Sequence, residues 1–349
     1  TSGIQASAHT TISSGSVTMD KTAPAWSNIY PSGNTTTNSS AVQYSLSEAL
    51  SSGTVTFTRT GGSAASNATV ALTGAELNAG SRSLGVLTNA PTLVNSAVYS
   101  ISFNGVDLSG NASNTSTASG VTFNNILPSI TSVTSTTTDG YYNAGDNINI
   151  TVTFNGSVNL ISSGGPGGGG GGTPTMVVTL ETGSTDRTVS FTSISNASSV
   201  SGTYTVQAGD TSADLAVKTI VVNDGNISNA AGNMSDFTIG SNLSSTSALV
   251  VDTTAPVISS VSPASSSSVA NKNIGYTLSE QCASGTVVFT RTGGSPDSGS
   301  PHTVNLVSSE LTTGVHAPAE LINNPSLVSG SVYSIAFNAT DLAANNATA

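Results

Sequence analysis

The sequence predicts an all-β chain of tandem β-sandwiches set in an extended row. Three observations predict it. Apolar residues alternate with polar ones at period two, turn-forming Gly, Asn and Asp residues cut those stretches short, and one long segment occurs twice. Early in the chain Val42, Tyr44 and Leu46 alternate with polar neighbours, as do Val55 and Phe57, and then Tyr99, Ile101 and Phe103. The middle carries Ile148, Ile150, Val152 and Phe154, then Met176, Val178 and Leu180, then Val189 and Phe191. Near the end Tyr333, Ile335 and Phe337 repeat the pattern. Side chains two apart on a strand share a face, so each set lines a core while its neighbours meet water. No window carries a helical stripe.

The duplication relates Asp20–Asn111 to Asp252–Asn345. The first copy reads YSLSEALSSGTVTFTRTGGS and later NAPTLVNSAVYSISFNGVDLSGN; the second reads YTLSEQCASGTVVFTRTGGS and NNPSLVSGSVYSIAFNATDLAAN. Tyr44 maps to Tyr276 and Tyr99 to Tyr333, with two residues inserted between them in a loop before Glu310. The stretch between the copies is a third unit of similar length, so the order is A–B–A′. The expected domains are A over 20–127, B over 128–251 and A′ over 252–349, after an N-terminal strand or linker over 1–19. B carries a tract, Gly164 to Gly172, of eight glycines and one proline, expected as a flexible insertion between two strands.

Composition excludes several function classes. Charged residues make up 7% of the 349, against about 25% in ordinary proteins. Ser, Thr, Gly and Asn replace them, which suits a neutral, hydroxyl-rich outer face. Seven Lys and Arg against 18 Asp and Glu leave a net charge of −11, so no basic patch is available for nucleic acid or an anionic membrane surface. No apolar run is long enough to span a bilayer. Cys282, the sole cysteine, excludes an intramolecular disulfide and a thiolate metal cage; it is expected as a buried, inert thiol. His9, His302 and His316 are scattered. No H-E-x-x-H, P-loop or G-x-S-x-G motif is present, so the chain is read as no enzyme.

Asp20-Lys-Thr-Ala-Pro24 and Asp252-Thr-Thr-Ala-Pro256 at domain starts resemble the opening of bacterial immunoglobulin-like tandem repeats. Asp107-Leu-Ser-Gly-Asn111, Asn229-Ala-Ala-Gly-Asn233 and Asp341-Leu-Ala-Ala-Asn345 resemble that family's last hairpin, the third lacking its glycine. Unit B, through Asp139-Gly-Tyr-Tyr-Asn-Ala-Gly-Asp146 and Gly209-Asp-Thr-Ser-Ala-Asp-Leu215, resembles a related repeat of giant bacterial surface proteins. The resemblance implies immunoglobulin-like sandwiches at the cell surface or outside it, in stalks, adhesins and fibres, often with calcium between domains.

Calcium takes carboxylate, amide and carbonyl oxygens, and the junction loops offer Asp107, Asn111, Asp224, Asn233 and Asp252. Asp224 and Asp252 are the expected pair at the B–A′ junction. The same residues serve equally as turn formers without a metal. Glu48 and Arg59, which recur as Glu280 and Arg291, are expected as a cross-strand pair. Trp26, the only Trp, is expected to pack against a neighbouring domain.

The expected function is a structural repeat of a surface fibre or adhesin stalk. The alternative is an adhesin module gripping carbohydrate or a host protein through its loops. A carbohydrate-active enzyme would need a catalytic domain elsewhere. Unit A continues past Asn111 into Val121-Thr-Phe-Asn-Asn125, which reads as a final strand, whereas A′ has no counterpart. Ser14-Gly-Ser-Val-Thr-Met19 resembles that strand. The expected partner is therefore a copy of the chain or an adjacent repeat, head to tail, with Thr1–Met19 completing A′ of the preceding unit.

Overall fold

The computed structural model describes residues 18–163 and 172–347. The N-terminal strand expected over 1–19 lies outside them, apart from Thr18 and Met19. Sandwich A contains β1 (Trp26–Tyr30), β2 (Thr36–Thr37), β3 (Val42–Leu46), β4 (Leu50–Gly62), β5 (Ala68–Ala71), β6 (Gly80–Gly85), β7 (Ala97–Asp107) and β8 (Ser116–Phe123). One sheet runs β1-β3-β6 and the other β2-β8-β7-β4-β5. The pairs are antiparallel except β2 with β8, which run parallel. This split of strands between two sheets is the immunoglobulin-like arrangement.

Period-two burial builds the core of A. β7 alternates buried and half-buried residues along its whole length, so Tyr99, Ile101 and Phe103 face inward with 2%, 1% and 0% of their surface exposed. Trp26 corrects an expectation. Its ring lies 5.2 Å from Tyr44 and 5.6 Å from Phe103, and its Nε1 donates to Ser113 Oγ at 3.1 Å. Pairing of β1 with β3 sets Trp26 opposite Leu46 and turns the indole into its own sandwich. At the end of β4, Gly62 has φ 67° and a Cβ there would stand 2.0 Å from the Ser96 carbonyl oxygen, so only glycine fits.

Sandwich B contains β9 (Ser129–Thr134), β10 (Gly140–Tyr142), β11 (Asn147–Ser162), β12 (Thr175–Leu180), β13 (Arg187–Phe191), β14 (Ala197–Thr205), β15 (Thr211–Ser212), β16 (Val217–Asn223), β17 (Gly225–Ser228), β18 (Asp236–Ser241) and β19 (Leu249–Asp252). Its sheets run β14-β11-β9-β18, with β17 also on β11, then β13-β12-β16 and β10-β19-β15. Ile148, Ile150, Val152, Met176, Val178 and Leu180 are fully buried between them. The glycine tract joins β11 to β12; the expected flexible insertion lies outside the described residues, apart from Gly172.

Sandwich A′ contains β20 (Ile258–Ser262), β21 (Ile274–Leu278), β22 (Cys282–Gly294), β23 (His302–Asn305), β24 (Gly314–Ala319) and β25 (Ser331–Asp341). Its sheets run β20-β21-β24 and β23-β22-β25. The duplication extends to irregularities. β4–β7 slips register at Leu50/Ser52 and Arg59/Gly61, and β22–β25 at Cys282/Ser284 and Arg291/Gly293. The inserted residues fall between β22 and β23, where Asp297 accepts from Tyr333 Oη and pairs with His302 Nε2 at 2.7 Å. Cys282 takes the place of Leu50 and is buried, and burial, then Glu280 and Asp341, push its thiol pKa up.

The sandwiches differ at one edge. β7 is covered by β8, whereas β25 is the edge strand of its sheet among the described residues. Tyr333, Ile335 and Phe337, counterparts of fully buried residues, are consequently only half-buried. Phe103→Ala should cost about 3–5 kcal/mol and Phe337→Ala clearly less. Calorimetry checks this, with Trp26 fluorescence marking the transition of sandwich A.

Candidate functional site

Two groups of three carboxylates stand out among the described residues: Asp20, Glu48 and Asp107 in sandwich A, and Asp252, Glu280 and Asp341 in A′. In each, one oxygen from every member lies within 4.8 Å of the others. The chain arrives at the same geometry twice. Asp20 precedes β1, and its Oδ1 accepts from Thr22 N at 2.9 Å, as Asp252 Oδ1 does from Thr254 N. Glu48 occupies the turn between β3 and β4. That turn is tied to the start of β1 by Ser47, whose N donates to the Ala25 carbonyl at 3.1 Å and whose Oγ accepts from Ala25 N at 2.9 Å. Ser279 and Val257 repeat both bonds at 3.0 and 2.8 Å. Asp107 and Asp341 end β7 and β25.

The loop after each buried aspartate fixes the group. Asp107 Oδ1 accepts from the backbone N of Ser109 and of Asn111, both at 2.8 Å, and Oδ2 from Asn111 Nδ2 at 2.8 Å. Asn111 Nδ2 also reaches the Asp20 carbonyl at 3.3 Å. Asn345 makes the same bonds to Asp341 and donates to the Asp252 carbonyl at 2.9 Å. One asparagine thus ties the closing loop of a sandwich to the segment that enters it. Asn233 donates in the same way to the carbonyls of Asn124 and Ile126, at 2.8 and 3.2 Å. Asn124 precedes Pro128 as Asp20 precedes Pro24, so this third latch is a neutral version of the other two.

The charge balance is uneven. Burial, then the carboxylates of Asp20 and Asp107, push the Glu48 pKa up. Burial, then Asp252 and Asp341, do the same to Glu280. Burial also works against ionisation of Asp107, but the hydrogen bonds from Asn111, Ser109 and Gly110 prevail and hold its pKa down. Each group is therefore a set of hard oxygen donors with one carboxylate under repulsive strain, the donor chemistry that calcium takes.

Of the residues singled out from sequence, Asp107 and Asp252 fall in separate groups, and Asn111 and Asn233 are latching amides. Asp224 belongs to neither group. It stands in the turn between β16 and β17 with φ 55°, its carbonyl accepting from Ser163 N at 3.0 Å. Sequence reasoning passed over Asp20, Glu48, Glu280 and Asp341 as donors. The signal was the recurrence of all three acids at matching positions of both copies. The expected pair of Glu48 with Arg59 does not form. Arg59 turns back on its own hairpin, donating through Nε to the Ser63 carbonyl at 2.7 Å and through Nη2 to that of Gly62. Arg291 does the same. Glu48 precedes the first residue of β4, far along the strand from Arg59.

Other polar groups are used within the fold. Tyr44 and Tyr276 donate to the Glu76 and Glu310 carbonyls at 2.7 and 2.6 Å, and burial, then the nearby glutamate, pushes both phenols to about 12. In B, buried Asp210 accepts from Arg187 Nε and Tyr204 Oη, both at 2.7 Å. A shallow cavity of about 410 Å³ beside them is lined by Arg187, Tyr204, Gln207 and neighbouring threonines.

No protein-family model matches the chain, and no curated protein does. Solved structures do match. The FN1–FN3 domains of chicken CNTN1 are 13% identical over 92% of this chain and 93% of that one, with a TM-score of 0.27. A Streptomyces avermitilis alpha-L-rhamnosidase complexed with L-rhamnose is 10% identical over 93% of this chain and 40% of its own length, with a TM-score of 0.20. Superpositions this loose carry no argument about function; the fold rests on the strands and registers above.

The pKa shifts have opposite consequences. The folded state holds the Glu48 proton to higher pH than the unfolded chain, so stability falls as pH rises from 4.5 through the raised folded value. Glu48→Gln and Glu280→Gln should raise the Tm at pH 7 in chelator, with the gain vanishing below pH 4.5. Asp107→Asn should lower it, because a depressed carboxylate stabilises above its unfolded pKa of 3.8 and loses that contribution as pH falls through the folded one. Melting curves across pH check both signs.

Proposed function

We propose that this chain is a non-enzymatic, extracellular structural repeat protein, part of a surface fibre or adhesin stalk. The observation that carries the reading is the doubled sandwich with its latch conserved in both copies: Asn111 and Asn345 each bind the entering segment, Asp20 or Asp252, to the closing loop. Such a latch orients a sandwich against the chain that leads into it, which is what a stalk requires of each repeat. The outer faces are rich in Ser and Thr and poor in charge, suited to a solvated shaft. The alternative of a loop-based adhesin has less support, since clustered exposed aromatics mark binding hot spots and Trp26 is in the core. Among the described residues no helix is long and apolar enough to cross a membrane, which leaves β-barrels unaddressed. Antibody raised against the chain should label intact source cells, and external protease should remove the label. Labelling only after permeabilisation overturns the reading.

The two carboxylate groups are assigned to calcium, with Asp20, Glu48 and Asp107 as ligands in A, and Asp252, Glu280 and Asp341 in A′. A bound cation would neutralise the repulsion on each glutamate and stiffen the latch. Calcium at a hundredfold excess over its Kd should then raise the Tm by about 10 °C or more, and the combined Glu48→Gln, Glu280→Gln variant should lose that rise. An unchanged midpoint in calorimetry with and without chelator removes the assignment.

A further inference from the structure

Sandwich B, the unit that is not duplicated, carries polar groups that its fold leaves unused. They gather where the edges of two of its sheets meet, since β13 is the outer strand of β13-β12-β16 and β14 that of β14-β11-β9-β18. The two strands approach closely: a Cβ on Gly202 would stand 2.5 Å from Val189 Cγ1. Next to this contact, Asp186, Arg187 and Thr188 at the start of β13 and Thr203, Tyr204 and Gln207 at the end of β14 line the cavity of about 410 Å³.

One wall of the cavity is fixed from inside the fold. Asp210 is 1% exposed. Its Oδ1 accepts from Arg187 Nε at 2.7 Å, and its Oδ2 from Tyr204 Oη at 2.7 Å and Gln207 N at 2.9 Å. Thr253 Oγ1 donates to the Asp210 carbonyl at 2.9 Å and holds the backbone in place. Arg187 is thereby pinned through Nε alone. Its Nη1 and Nη2, which carry the rest of its N–H donors, have no hydrogen-bond partner among the described residues. Asp186 is likewise engaged on one side only, with Lys218 Nζ donating to Oδ2 at 2.9 Å. The hydroxyls of Thr188 and Thr203 and the side-chain amide of Gln207 make no hydrogen bond among the described residues either. Donors and acceptors thus converge on one cavity without serving the fold.

The class of ligand follows from the charge and the lining. Arg187 balances Asp210 and Lys218 balances Asp186, so the cavity is neutral on a chain of net charge −11. A carboxylate or phosphate would have to share the guanidinium with buried Asp210 and stand beside Asp186. Small-ligand pockets of about 300–1,000 Å³ are lined mostly by hydrophobic side chains, whereas this one offers hydrogen-bonding groups, which an apolar ligand would leave unsatisfied. A hydroxyl group both donates and accepts. Adjacent hydroxyls therefore match a guanidinium edge beside a carboxylate oxygen, threonine hydroxyls and an amide.

We propose that this cavity binds a neutral sugar unit, a pyranose with adjacent free hydroxyls. Arg187 donates through its Nη groups to one pair of hydroxyls, Asp186 Oδ1 accepts from another, and Thr203 and Gln207 select among hydroxyl orientations. Tyr204, the one aromatic residue of the lining, is 3% exposed, so no ring face is offered for stacking and the affinity for a single sugar is modest. The site goes beyond the structural reading above and does not depend on it.

The test is titration of the full chain with the methyl glycosides of glucose, galactose and mannose, followed by saturation-transfer NMR. Saturable binding of at least one is expected. Thr203→Val combined with Gln207→Ala should weaken it about tenfold or more and leave the Tm unchanged, because neither side chain is bonded in the fold. Arg187→Lys keeps a cation beside Asp210 but removes the planar fork, and should abolish binding. Methyl glucuronide tests an anion site, and glycerol tests unselective polyol binding. Four outcomes each overturn the proposal: no saturable binding of any neutral glycoside, binding that survives both variants, binding of the glucuronide as tight or tighter, and binding of glycerol as tight. Surface labelling of source cells is unaffected by these results, so failure of the sugar site and failure of the stalk reading are distinguishable.

Discussion

The antiparallel pairing of β4 with β7, repeated by β22 with β25, is the interaction on which most of the molecule depends. It runs from Leu50 opposite Asp107 to Gly62 opposite Ala97, with its two bulges at the same places in both copies. It carries four large, fully buried core residues, Phe57, Tyr99, Ile101 and Phe103. Its far end returns the chain through a left-handed glycine held against the Ser96 carbonyl. Its near end delivers Asp107 to the carboxylate group, so core and candidate site are two ends of one strand pair.

With so few charges, polar anchoring falls to amides, hydroxyls and main chain. Asparagine serves as the latch because its amide can donate at once to a carboxylate and to a carbonyl. Glutamates at 76 and 310 do comparable work inside the sandwiches, each accepting two backbone N–H groups from separate segments: Thr73 and Thr88 in A, Val307 and Ile322 in A′. These bonds fix loops without long cationic side chains. A net charge of −11 with its acids partly gathered in threes leaves the carboxylate groups as the least balanced electrostatic feature described.

Sandwiches A and A′ also show how one sequence can have two burial patterns. The residues of β7 and β25 are nearly the same, yet among the described residues one strand lies inside its sheet and the other at the edge. Burial belongs to the pairing of a strand as much as to its composition, because an apolar row is removed from water only when both neighbours are present.

The sequence by itself determined the all-β class, the duplicated unit, the inward-facing sets and the position of Cys282, because period two and internal repetition are local properties written in residue order. It also held the acids of both groups in plain recurrence. Only the tertiary structure decided their partners. Glu48 and Arg59 share a strand region in sequence, yet the turn sends one to Asp20 and Asp107 and the hairpin folds the other back on Gly62 and Ser63. Trp26 beside Pro24 read as a domain-facing residue until the β1–β3 register turned it inward. The physical reason is the same in each case: a strand's period fixes which face a side chain takes, whereas turns and register fix which distant residues it meets there.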